Sequence, residues 1–96
     1  MGDIRLISSR DCELKPLVAA ALENELRVIQ AGIKRTGQRL KGFESKYKLN
    51  TSEFLRRYEN DELAENLDFA EWIGEIRMLE RLKQKSEILK DVRIAN

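Results

Sequence analysis

Two runs of charge hold the residues best equipped for chemistry in this chain. Lys34, Arg35, Arg39, Lys41, Lys46 and Lys48 stand against the single Glu44, so residues 34–48 carry a net charge of +5. Such a run neutralises phosphates and releases their counterions, which would make Lys34, Arg35, Arg39 and Lys41 the centre of a nucleic-acid surface. Between Glu59 and Glu75 lie seven acidic residues, Glu59, Asp61, Glu62, Glu65, Asp68, Glu71 and Glu75, and no basic one. Carboxylate oxygens at that density can hold Mg²⁺ or Ca²⁺, but the run lacks the Asp/Asn spacing and the Gly of an EF-hand loop. The plainer expectation for both runs is mutual neutralisation across a turn that sets one beside the other.

Other chemistry is sparse. The chain contains no His, and Cys12 is its one cysteine. That leaves no imidazole for acid-base work, no Cys/His zinc set and no disulfide framework. Cys12 has Arg10 close by in sequence but no base to activate it, so a structural thiol is expected. No Gly-rich phosphate loop, nucleophile elbow or paired-carboxylate site is visible. The expectation is a non-enzymatic protein without cofactor or metal.

The elements that must position these residues follow from composition and period. Ninety-six residues, 42% hydrophobic and 36% charged, supply one small domain with a single core. The net charge of +1 gives no overall field toward nucleic acid or membrane. The longest apolar stretch, Leu17 to Leu22, falls far short of the roughly 20 residues of a membrane span, and no signal-peptide core opens the chain. A cytoplasmic protein without a membrane partner is expected.

One proline and five glycines in a chain rich in Leu, Glu, Lys and Arg predict long helices. Pro16 suits a first helical turn, and Leu22, Leu26, Ile29, Ile33, Thr36, Leu40, Phe43 and Tyr47 then recur at alternating four- and three-residue spacing. This predicts a helix over 15–48. Asn50 with Glu53 resembles a capping box and predicts a short helix over 50–59 carrying Phe54, Leu55 and Tyr58. A third helix is predicted over 67–90, with Phe69, Trp72, Ile73, Ile76, Leu79, Leu82 and Leu89 on one stripe and Ser86 as its weak member. The fold class is therefore mainly α, a long antiparallel helical hairpin closed by a short connecting helix.

The ends, 1–13 and 91–96, read as extended segments. Asp3–Ser8 and Asp91–Ala95 alternate apolar and polar residues, placing Ile4 with Leu6 and Val92 with Ile94 on common faces. Both ends fall at the open end of a hairpin, so they can pair as a two-stranded ribbon, marginally stable alone. Gly32, Gly37 and Gly42 interrupt the long helix at about 1 kcal/mol each relative to Ala. Close approach of another backbone at Gly32 and Gly37, or simple tolerance by a strong seam, both account for them.

Phe43, Tyr47, Phe54, Tyr58, Phe69 and Trp72 all fall at the closed end. Core packing is the first expectation, with Trp72 as a candidate partner contact because Trp is enriched at interface hot spots. The residues around this end, Phe43-Glu44, Lys46-Tyr47, Ser52 with Phe54, Tyr58-Glu59, Glu62-Leu63 and Asp68-Phe69 followed by Glu71-Trp72, resemble a pattern in small helical prokaryotic coiled-coil proteins. That group is described in terms of antitoxins or left without a described role, and the likeness spans roughly Leu17 to Leu82. It implies binding and neutralising a small toxin-like protein rather than catalysis. Where members of the group tend to carry Gly before the Glu-Leu pair, this chain has Asp61.

Two function classes result. The first is a protein-interaction module. A lone pair of helices covers one seam, whereas Val18, Val28, Leu55, Ile73, Met78 and Ile88 widen the apolar face, and burying each is worth about 1.5–3 kcal/mol. A homodimer with four packed helices would cover them. Ile4, Leu6, Val92, Ile94 and Trp72 are the candidate contacts for a second protein, since exposed strand edges add to a partner's sheet. The alternative is a nucleic-acid-binding helical protein using 34–48, although the acidic connection after the short helix argues against a helix-turn-helix.

Overall fold

A computed structural model describes residues 2–5 and 11–95. It is mainly helical: α1 spans Asp11–Tyr47, α2 Thr51–Glu59 and α3 Leu67–Lys90. Two extended segments, β1 at Gly2–Arg5 and β2 at Val92–Ala95, lie in parallel register, Gly2 opposite Val92 and Arg5 opposite Ala95. The molecule measures 60 × 21 × 17 Å, the shape of a single layer of helices.

Helix α1 starts four residues before the periodicity predicts, so two expectations need correction. Residues 11–13 are helical rather than extended, and Cys12 lies within α1 rather than in a connection. Pro16 consequently sits in the second turn. It has no N–H to offer the carbonyl of Cys12, a loss limited to one bond so close to a helix start.

At its other end α1 stops by a backbone device. Lys48 adopts a left-handed conformation at φ 51, and the Leu49 N–H donates back to the Glu44 carbonyl at 3.2 Å. This is the hydrogen bond that closes a Schellman motif, usually built on glycine. The end of α2 repeats it in full: Asp61 sits at φ 58, the Glu62 N–H donates to the Arg57 carbonyl at 2.9 Å, and the Asp61 N–H donates to that of Tyr58 at 3.1 Å. The position at which this chain departs from the resembling pattern is thus one that favours glycine. Asp is among the few other residues that enter this region readily.

Helix starts follow side-chain caps. The Asn50 side chain accepts from the Glu53 N–H at 2.8 Å, and that of Asn66 accepts from the Asp68 N–H at 2.7 Å. The expected capping box is half made, because the Glu53 carboxylate turns to Arg56 and Arg57 instead of back toward Asn50.

Helices α1 and α3 pack antiparallel. Gly32 lies against Leu82, Arg39 against Glu75 and Lys46 against Asp68, all in one register. Lys90 therefore falls opposite Asn24, and residues 11–23 of α1 run past the end of α3. The buried seam uses Ile29, Thr36 and Leu40 from α1 with Trp72, Ile73, Ile76 and Ser86 from α3. Ser86 does belong to the stripe. Leu40, Phe54, Trp72, Ile73 and Ile76 form one cluster with Phe43, Tyr47, Leu49, Leu55, Leu63, Phe69 and Leu79 packed around it. The core thus sits toward the closed end, where three helices rather than two supply side chains.

Candidate interaction surface

Aromatic rings from all three helices fill the closed end. Trp72 and Phe54 are fully buried and stacked at 3.8 Å, Phe43 stacks on Trp72 as well at 5.5 Å, and Tyr47 meets Phe69 at 5.0 Å. The Trp72 indole N–H donates to the Thr51 hydroxyl at 3.2 Å, while the Thr51 backbone N–H donates to Glu44 Oε2 at 2.8 Å. These two bonds tie α1, α2 and α3 together. Trp72 was a candidate partner contact on composition; complete burial behind Phe54 makes it a core residue instead.

Around this core the two charged runs meet. Lys46 Nζ and the Tyr47 hydroxyl both donate to Asp68 Oδ2, at 2.5 and 2.6 Å. The Lys46 ammonium, followed by the Tyr47 hydroxyl, holds the Asp68 carboxyl below its ordinary value, and Asp68 in turn raises Lys46. Arg39 pairs with Glu75 at 2.8 Å. On α2, Arg56 and then Arg57 bond Glu53 and lower its carboxyl to about 2. Neutralisation across the hairpin accordingly engages Arg39 and Lys46 from the basic run and Glu75 and Asp68 from the acidic run.

Helical spacing divides the remaining cations. Lys34 and Lys41, seven residues apart, share one exposed edge of α1, whereas Arg35, Arg39 and Lys46 lie along the grooves on the other. Of the four candidate nucleic-acid contacts, Arg39 is engaged by Glu75, and Lys34, Arg35 and Lys41 are exposed.

The grooves run along one side of the α1–α3 pair. The one nearer the closed end, about 680 Å³, has Phe43 as its floor, Gly42 and Gly74 at its sides, and Arg39, Lys46 and Glu71 at its rim. A side chain added at Gly42 or Gly74 would meet nothing within 4 Å. The next, about 270 Å³, is lined by Val28, Ile29, Gly32, Met78 and Leu82, with Glu25, Arg35 and Lys85 among its charged neighbours. Val28 is 58% exposed and Met78 43%. Leu17, Leu67 and Ile88 are exposed elsewhere. Of the off-seam residues expected to widen the apolar face, Ile73 proves to be core, Val18 and Leu55 are half-buried, and Val28, Met78 and Ile88 remain open.

Val92 is half-buried in β2. Leu6 and the side chains of Ile4 and Ile94 lie outside the described residues. Among the described residues, no group of Asp, Glu or Cys is placed to hold a metal ion, and no helix is long and apolar enough to cross a membrane.

Sequence reasoning missed Glu44 and Thr51. Glu44 counted only as the lone acid in a basic run, yet it caps α2 across the turn. The signal was available in its place six residues before an Asn cap. The Thr51–Trp72 bond has no sequence signal, since it joins residues 21 positions apart. Compared with protein-family models, with curated proteins and with solved structures, the chain matches none.

Proposed function

We propose that this chain is a protein-interaction module that works through uncovered helical surface: it associates with a second copy of itself and offers its remaining surface to a small protein partner. The observation that carries this reading is the uneven cover of α1. Its second half is packed by α2 and α3, while residues 11–23 run past α3 with Leu17 exposed, and Val28 and Met78 stay open between the helices. Burying such side chains is worth about 1.5–3 kcal/mol each, a sizeable fraction of the stability of a small domain. Neutralisation of a toxin-like protein, which the resemblance of the closed end implies, belongs to the same reading. The segments β1 and β2, paired along one edge each, form a ribbon whose outer edges supply main-chain donors and acceptors to such a partner.

Light scattering coupled to size exclusion tests the self-association. A species heavier than the 11.2 kDa single chain is expected at micromolar concentration. A monomer at every concentration rejects it.

A second reading is favoured by one observation: Lys34 and Lys41 stay exposed on one edge of α1. This edge can meet phosphates. Binding to immobilised nucleic acid should then fall steeply with salt and should weaken in Lys34→Glu and Lys41→Glu. Retention unchanged by those substitutions removes the nucleic-acid reading.

A further inference from the structure

The side of α1 that carries Glu25, Val28, Gly32 and Arg35 is self-complementary. Its apolar centre lies between Val28, exposed, and Gly32, half-buried, where an added Cβ would press on Leu82 Cδ1 at 3.1 Å. Glu25 and Arg35 flank that centre symmetrically, one on each side. Both are exposed, and neither meets an opposite charge among the described residues. The charge of the whole helix follows the same rule. Asp11, Glu13, Glu23 and Glu25 outnumber Lys15 and Arg27 in its first half, for a net charge of −2, and the second half carries the basic run.

We propose that this side is the contact face of a two-fold homodimer in which the first half of α1 in each copy lies on the closed end of the other. The proposal rests on the self-association reading and assigns it a face and a register. A two-fold axis between Val28 and Gly32 seats Val28 on the partner's Gly32 and sets Glu25 beside the partner's Arg35, each contact occurring twice. Continuing outward, Leu14, Val18 and Ala21 pass over the groove floored by the partner's Phe43, where the partner's Gly42 and Gly74 carry no side chain to hold a helix away.

Charge and length together decide between this arrangement and its rival. Helix α1 has 37 residues and α3 has 24, so α1 overhangs α3 at the open end. Stacking closed end on closed end would put overhang on overhang, setting acid-rich half on acid-rich half and basic run on basic run. The crossed arrangement instead lays each overhang on the best-packed part of the second copy. It also opposes acid-rich half to base-rich half along the full contact.

The test is a charge swap read by sedimentation velocity and native mass spectrometry on the full chain. Glu25→Lys and Arg35→Glu each place like charges together twice per dimer, and each should weaken the homodimer by about tenfold or more at low salt. Mixing the two variants restores opposite charges at every contact, so the heterodimer should form in preference to both homodimers. Val28→Glu, at an exposed site, should abolish the dimer while helix content and Trp72 emission stay as in the parent. A wild-type dimer that ignores both swaps and shows no heterodimer preference overturns the face while leaving self-association standing. A wild-type chain that remains monomeric overturns both and leaves the groove to a different occupant.

Discussion

The Trp72 indole and the Phe54 ring lie face to face, centroids 3.8 Å apart and planes within 2° of parallel, with neither side chain reaching solvent. This contact joins α2 to α3, and the hydrogen bond from Trp72 to Thr51 fixes its rotation. A helix of nine residues has too little intrinsic stability to persist alone, so α2 is held in place by what Phe54 packs against. Phe54→Ala should therefore cost about 3–5 kcal/mol in chemical denaturation, and the native emission of Trp72 should shift toward that of a hydrated indole. A loss below about 1 kcal/mol with unchanged emission would show that the stack does not hold the closed end.

Asp61 occupies a left-handed position that glycine enters without steric penalty. Asp61→Gly should raise stability by about 0.5–1 kcal/mol, and the β-branched Asp61→Val should lower it by more than that. The comparison of the two denaturation midpoints isolates the backbone effect, because the Asp61 side chain is exposed.

Gly37 lies within α1, away from the contact face inferred above, and a Cβ there would meet nothing within 4 Å. Gly37→Ala should stabilise the fold by about 0.5–1 kcal/mol through reduced freedom of the unfolded chain. Gly32→Ala is expected to differ in sign or size, since its methyl must displace Leu82. Equal effects at the two sites would contradict the close approach of α3 at Gly32.

Acid should weaken the closed end. Asp68, bonded by Lys46 and Tyr47, and Glu53, bonded by Arg56 and Arg57, are both held below their ordinary values of 3.8 and 4.5. A carboxyl whose folded value is depressed stabilises the fold above its unfolded value and loses that contribution as pH falls through the folded one. Stability should be level above about pH 5 and decline from there toward about pH 2, the region in which Glu53 finally takes its proton. Asp68→Asn should be less stable than the parent at neutral pH and should approach it in strong acid. A difference that does not shrink on acidification would place the role of Asp68 outside its charge.

Local pattern accounts for much of this architecture. The alternating three- and four-residue spacing from Leu22 to Tyr47 and from Phe69 to Leu89 marks two facing stripes, and Asn50 and the acidic start of the third helix mark where chain direction changes. These are decided by interactions within a few residues along the chain, so they are visible in one dimension. The start of α1 was not visible, because Asp11, Cys12 and Glu13 are equally acceptable in a helix or before one, and Pro16 points to a first turn that it does not occupy.

The tertiary structure decided which chemistry each side chain performs. Composition makes Trp72 a contact for a partner, but burial beneath Phe54 assigns it to the core. Glu44 reads as an exception in a basic run, and only the turn at Lys48 brings it to the start of α2. Arg39 and Lys46 meet Glu75 and Asp68, while Lys34 and Lys41 point to another edge, a division set by the register of α1 on α3. Spacing along a helix fixes the angle at which a side chain leaves it, whereas what lies at that angle depends on residues 20 or more positions away, and only folding brings those into reach.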